Sequence, residues 1–277
     1  MLFSRMLGGL GNQLFQTAAI LKYRRPKEKV IISFLGEIHI PKRVNCLSSI
    51  FEIPTWLYLD NSKSINFLTK LFARKSAELR FGSYLPLVGI NDRNFSYKRY
   101  PLIRQKILFL DGYFNQNWSF SELNSLFSIL ELKKINLNNA QLNLCNQNVV
   151  IHIRGGDFLS IKNLNICKFE YYKNSIEYCV CKGLKSFIVI SEDQKYGKEV
   201  IKEIKKCFFH LQISILKSDS TKNDFNIIRS SKFAILSNST FCWWASFLSN
   251  SKIEFLVPSN FSTKEKRIPL PNETIMH

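Results

Sequence analysis

Glycine and proline are scarce, eleven and eight in 277 residues, too few for a linker-dominated or collagen-like chain. No stretch approaches the roughly 20 uncharged apolar residues that a membrane-spanning helix needs. The opening MLFSRMLGGLGNQLFQ has one early Arg but meets a glycine turn before any apolar core of sufficient length, and no small-residue cleavage site follows, so it does not read as a secretory signal. Seven cysteines (46, 145, 167, 179, 181, 207 and 242) are an odd set lying mostly in apolar runs, where a thiol behaves as a small hydrophobe. Cys179 and Cys181 form C-x-C, and no second pair stands at a zinc spacing. A metal site is not expected, and the cysteine usage points to a reduced, cytosolic protein. Acids are also few: the seven Asp and fourteen Glu include no D-x-D pair, so no divalent-ion clamp for a diphosphate is visible.

What remains is a folded chain, 45% hydrophobic and 22% charged. Thirty-nine Lys and Arg against 21 Asp and Glu give a net charge of +18. A surface of that sign attracts polyanions: nucleic acid, anionic lipid headgroups or a phosphorylated ligand. Basic and aromatic residues are not interleaved as in stacking grooves, which argues against nucleic acid as a partner.

The second half alternates strand and helix. Asn148–Ile153 is a continuous apolar run of strand length; Lys168–Lys182 has helical spacing closed by Gly183 at C′. Ser186–Ile190 is a second buried strand. Lys195–Cys207 places Val200, Ile201 and Ile204 on one helical face and lysines on the other. Ile213–Leu216, Lys232–Leu236 and Lys252–Val257 complete a set of short strands. In the first half, Leu2–Leu7 reads as a strand, Leu14–Arg24 as a helix and Leu108–Phe114 as a strand and turn, while Pro41–Pro101 shows neither period for long. The Asn-, Lys- and Leu-rich stretch Leu132–Gln147 reads as the connection between halves. The expected architecture is two α/β domains with a cleft between them, residues 1–140 and 141–277.

Four motifs fall at strand ends. Gly8-Gly9-Leu10-Gly11-Asn12-Gln13 follows a strand and opens a helix, where glycines allow close backbone approach and the helix N-terminus offers N–H groups to an anion. Leu14 stands where a dinucleotide fingerprint has its third Gly, and no Lys-Ser/Thr follows as in a Walker loop. A tight turn with no ligand is the alternative. His152-Ile153-Arg154-Gly155-Gly156-Asp157 ends a buried strand, the edge at which doubly wound sheets bind ligands. Arg154 carries a fork of donors suited to phosphate oxygens, and Asp157 could orient it or act as a base. A lone His on a strand is more often a core residue. Glu192-Asp193 could accept hydrogen bonds from a guanine edge or a ribose, or simply favour a helix N-terminus. Ser237-Asn238-Ser239-Thr240-Phe241 could cap the helix Cys242–Ser249 or wrap a phosphate.

In this order GGLGNQLFQ, HIRGGDF, ISED and SNSTFCWWASFL, with LDGYFNQNW between the first two, resemble the motifs of α-1,2-fucosyltransferases of glycosyltransferase family 11. The resemblance implies a GT-B fold, two Rossmann-like domains facing across a cleft. It also implies an inverting, metal-independent transfer of L-fucose from GDP-fucose to the 2-hydroxyl of a β-galactoside, with no cofactor. Carried over by position, Arg154 holds the β-phosphate with His152 near the nucleotide. Glu192 or Asp193 meets the guanine or ribose, and Ser239, Thr240 and Phe241 wrap the diphosphate. Gly9, Gly11 and Asn12 line the opposite side of the cleft, with Arg154, Asp157 and Asn12 as the catalytic set. No residue is assigned to the acceptor.

Two positions depart from the family pattern: Asn115 replaces a Gln, and Gly155 replaces the second Arg of His-x-Arg-Arg-x-Asp. Animal members carry an N-terminal anchor. This chain opens near its first motif and resembles the bacterial, cytosolic type that decorates surface polysaccharide units of the O-antigen kind. The basic surface then suits the inner leaflet of a bacterial membrane and a lipid-linked acceptor. Another GDP-sugar-dependent glycosyltransferase, or a non-enzymatic polyanion-binding protein, is the alternative.

Overall fold

The computed structural model of the chain describes residues 1–34, 46–60, 64, 67–68, 78–81, 85–90, 107–164, 167–217, 220–249 and 253–276. Much of the aperiodic stretch from Pro41 to Pro101 lies outside the described residues. The chain divides into two compact units, Met1–Lys133 and Lys134–His277. A six-stranded sheet runs through each.

In the N-terminal unit β1 (Leu2–Arg5), β2 (Val30–Ser33), β3 (Leu57–Leu59), β4 (Glu78–Phe81), β5 (Leu85–Ile90) and β6 (Ile107–Leu110) lie in the order β3-β2-β1-β6-β5-β4. All neighbours are parallel except β4 and β5. Helix α1 (Leu10–Tyr23) begins inside the glycine turn, ahead of the expected Leu14, because Gly9 takes the extended N-cap conformation. Two fully buried glutamines on α1 hold that turn. Gln16 accepts from Leu7 N–H at 2.8 Å and donates to Leu7 C=O at 2.8 Å. Gln13 donates to Gly8 C=O at 3.1 Å and accepts from Cys46 N–H at 3.0 Å. Buried amides satisfied this way fix the turn instead of destabilising the core. Gly8 sits at φ +72° with Asn12 close against it, so a side chain there would be strained and crowded. At the carboxyl ends of β1 and β6, Arg5 pairs with Asp111 through two hydrogen bonds of 2.8 and 3.1 Å, both side chains buried. Helix α2 (Phe120–Phe127) closes the unit, capped by the Ser119 hydroxyl.

The C-terminal unit opens with α3 (Asn139–Gln147), inside the stretch that reads as a linker in the sequence. A capping box drives it: Asn138 Oδ1 accepts from Gln141 N–H at 2.9 Å, and Gln141 Oε1 accepts from Asn138 N–H at 3.0 Å. Then β7 (Val149–Ile153), short α4 (Asp157–Ser160), α5 (Phe169–Cys181), β8 (Ser186–Ser191), α6 (Gln194–Cys207), β9 (Gln212–Ile215), α7 (Thr221–Ser230), β10 (Phe233–Ile235), α8 (Thr240–Phe247), β11 (Glu254–Pro258) and β12 (Glu273–Met276) follow. The sheet order is β12-β11-β10-β7-β8-β9, all parallel. This is the doubly wound order of a Rossmann domain. Every residue of β7 is buried, as a central parallel strand covered on both faces requires. Gly183, at φ +82°, closes α5 as the sequence predicts, with Leu184 N–H bonded back to Cys179 C=O at 3.1 Å. The apolar face of α6 packs Val200, Ile201 and Ile204 into the core formed with β7 and β8.

Candidate active site

The winding of the C-terminal sheet reverses between β7 and β10: β8 and β9 extend to one side, β11 and β12 to the other. At such a switch point the connections leaving two adjacent strands diverge, opening a crevice at their carboxyl ends. The sequence motifs fall there. His152 precedes the end of β7; Ser237, Asn238 and Ser239 follow β10. His152 Nδ1 and Ser237 Oγ meet at 2.9 Å, both side chains buried, joining the strands just past their backbone pairing. Tyr172 supports the same strand, its hydroxyl donating to His152 C=O at 3.4 Å. The imidazole lies 5.8 Å from the Phe241 ring, which in turn contacts Phe225 edge-on at 5.3 Å. Burial, reinforced by the nearby Arg154 charge, pushes the His152 pKa down to about 3. A neutral imidazole at the strand end therefore adds no cost to binding an anion, and it serves as a polar support.

Arg154, next past β7, is largely buried, pairs with the half-exposed carboxylate of Glu192, and lies with its guanidinium 4.6 Å from the Phe158 ring. An anion arriving at this edge competes with Glu192 for that guanidinium. Asp193 performs two backbone tasks. Its Oδ1 caps α6 by accepting from Tyr196 N–H at 3.0 Å, and its Oδ2 accepts from Gly156 N–H at 3.1 Å. The bond from Tyr196, followed by that from Gly156, holds its pKa below the ordinary carboxylate value. This close approach explains the departure at Gly155: a Cβ there would lie 2.7 Å from Asp193 Cβ and 3.0 Å from its Oδ2. Glycine is thus required by the carboxylate that ties the β7 turn to α6.

Ser239 is the N-cap of α8, its hydroxyl accepting from Phe241 N–H at 3.2 Å. Thr240 and Phe241 form the first turn, so backbone N–H groups and the positive end of the helix point from the same edge. Asn238, absent from the residues selected by sequence, fastens this loop by donating to Leu164 C=O at 2.8 Å and Phe261 C=O at 2.7 Å. The structure thus brings His152, Arg154, Glu192, Asp193, Ser239, Thr240 and Phe241 to one edge of the sheet. Asp157 opens α4 from the same loop, but its side chain lies outside the described atoms. Gly9, Gly11 and Asn12 belong to the N-terminal unit, at the carboxyl end of β1. Ser237 and Phe158 are the partners that sequence reasoning missed. Both lie inside the quoted motifs, yet only the fold shows which of their neighbours they touch. Among the described residues, no group of three His, Cys, Asp or Glu side chains is placed to hold a metal ion.

Two measurements follow from this geometry. The unfolded chain protonates a histidine near pH 6.5, whereas folded His152 does so only near 3. Its contribution to stability is therefore intact above the unfolded value and is lost on acidification through that window, by up to about 1.4 kcal/mol per pH unit. In His152→Asn, whose amide can keep a bond to Ser237, urea midpoints should fall less steeply with acidification than in the wild type; identical slopes would contradict the assignment. Gly155→Ala should cost about 1–3 kcal/mol by overpacking. In an Asp193→Gly background, where the obstructing Cβ is gone and the cap itself loses only a few tenths of a kcal/mol, the same change should cost little. Equal costs in both backgrounds would show that this contact is not what requires glycine.

An Escherichia coli protein named alpha-1,2-colitosyltransferase is 24% identical to this chain over 262 residues, spanning 89% of this chain and 87% of its own length. Among solved structures, POFUT1 in complex with GDP-fucose superposes with a TM-score of 0.51 at 14% identity, covering 92% of this chain and 96% of that one. That likeness is one of fold, and with the two parallel-sheet units it makes the fold GT-B in type. The model of glycosyl transferase family 11 matches residues 87–273, which include β6 and the whole switch-point edge from His152 to Phe241, and this protein accordingly belongs to that family of glycosyltransferases.

Proposed function

We propose that the protein transfers L-fucose from GDP-fucose to the 2-hydroxyl of a β-galactoside, with inversion and without a metal ion. The observation that carries this reading is Arg154: a mostly buried guanidinium at the β7–β10 switch point, beside a neutral His152 and the N-terminal turn of α8. That combination suits the diphosphate of a nucleotide sugar. The 2-hydroxyl oxygen bonds to fucose C1 as the bond from C1 to the β-phosphate oxygen breaks. The bonding electrons leave with GDP, and the hydroxyl proton passes to a base, for which Asp157 is our candidate. Arg154 and the α8 N–H groups stabilise the charge that grows on the leaving diphosphate. The missing D-x-D pair supports metal independence. No cofactor enters the reaction.

The alpha-1,2-colitosyltransferase relative supports a second reading, in which colitose replaces fucose on the donor. The net charge of +18 supports an acceptor held at an anionic surface, such as a lipid-linked unit of a surface polysaccharide at the cytoplasmic leaflet of a bacterial membrane. Among the described residues, no helix is long and apolar enough to cross a membrane.

The test is GDP release from GDP-fucose and from the matching colitose donor, with and without a panel of β-galactosides, in EDTA. Galactoside-dependent release from GDP-fucose is expected. Release only from the colitose donor would select the second reading. Arg154→Ala should lower turnover by about 10²–10³ while leaving the melting temperature unchanged. Near-wild-type turnover in that variant would overturn the site.

A further inference from the structure

The last backbone pair joining β10 to β7 is Ile235 with Ile151. The next step of that register would set Leu236 against His152, and there the strands part. Two consecutive residues of α5, Tyr171 and Tyr172, both buried, divide this pair between them. The Tyr171 hydroxyl donates to Leu236 C=O at 2.5 Å and lies 3.1 Å from Leu256 C=O, on the side of the parting that carries β10 and β11. Leu256 C=O also accepts from Leu236 N–H at 2.8 Å, so β10, β11 and the phenol are tied at one point. The Tyr172 hydroxyl donates to His152 C=O at 3.4 Å, on the β7 side. The two rings meet edge-on at 5.1 Å and pack as one unit beneath the parting.

These carbonyls belong to the peptides that lead into the site. From His152 the chain reaches Arg154 in two residues, and from Leu236 it reaches Ser239, the N-cap of α8, in three. A hydroxyl bonded to a carbonyl oxygen restrains the plane of that peptide, and with it the direction in which the following residues leave the sheet. Burial raises both phenol pKa values well above the ordinary tyrosine value, which keeps each hydroxyl protonated and a donor. Packing alone would be served by phenylalanine at either position. A buried hydroxyl is costly unless it is bonded, and the bonds these two make are to the pair of carbonyls at which β7 and β10 separate.

We infer that Tyr171 and Tyr172 are positioning residues for the donor diphosphate: their hydroxyls hold the parted strand ends at the spacing that lets Arg154 and the first turn of α8 grip one ligand together. That the ligand is a diphosphate rests on the proposed transfer reaction; that the tyrosines set the strand ends does not. Tyr171→Phe and Tyr172→Phe keep the rings and remove the bonds. In calorimetric titrations, Tyr171→Phe should weaken GDP binding about tenfold. Tyr172→Phe, which loses a longer bond, should weaken it less. GMP binding should change little in either variant, because GMP lacks the second phosphate. In an Arg154→Ala background the further loss from Tyr171→Phe should be much smaller than in the wild type. A merely structural role would lower the melting temperature and leave the ratio of GDP to GMP affinity at its wild-type value, and that result would overturn the inference. Amide hydrogen exchange without nucleotide is the second measurement: Tyr171→Phe should speed exchange in residues 236–241 while α6 keeps its wild-type rates. Uniform acceleration, or none, would also overturn it. Selective loosening of residues 236–241 in a protein that binds no GDP would refute the nucleotide assignment and leave the strand-positioning role standing.

Discussion

The β7–β10 contact carries the site. Its backbone register is short, Ala234 with Val150 and Ile235 with Ile151, and beyond it the two strands must part for the winding to reverse. The bond between His152 Nδ1 and Ser237 Oγ holds them together at the point of parting. Burial strengthens that bond by removing competing water, and it also keeps the imidazole neutral. Arg154 and the α8 cap are positioned from this joint, one residue-turn out on each strand.

Both units carry a six-stranded sheet, but only the C-terminal sheet reverses its winding beside its first strand; in the N-terminal sheet β4, β5 and β6 advance toward β1 in the same direction that β2 and β3 advance away from it. Each unit places an arginine at the carboxyl end of its first strand. In the N-terminal unit Arg5 is committed to Asp111 and becomes part of the frame. In the C-terminal unit Arg154 is held by Glu192, whose carboxylate is half exposed and so retains its water and can exchange for a ligand. A buried pair is costly to break because each charge would be left unsolvated; a pair with one solvated partner is not. The difference in exposure between Asp111 and Glu192 thus separates a structural arginine from one suited to a phosphate.

Much of this was legible in the sequence. The continuous apolar runs of β7 and β8, the period of α6 and the C′ glycine after α5 each follow from a single local rule, and the structure places them within a residue or two of expectation. In Leu132–Gln147, rich in Asn, Lys and Leu, the division between the units follows Lys133, but the composition hides α3, which the capping box of Asn138 and Gln141 starts. The short, partly exposed β12 carries no period and shows itself only by pairing with β11. At the site, the motifs named the right edge but not the contacts. Gly155 stands out in sequence as a missing arginine, while its cause, Asp193, comes from the end of the next strand. Arg5 and Asp111 are 106 residues apart, so only the β1–β6 pairing reveals that one arginine is already neutralised.

We propose that the β7–β10 edge holds the diphosphate of a guanine nucleotide through Arg154. The most direct test is calorimetric titration of the wild type and of Arg154→Ala with GDP. Binding by the wild type that weakens at least about tenfold in the variant, with the fold intact, is the predicted result. No GDP binding, or equal affinity in the two proteins, would contradict it.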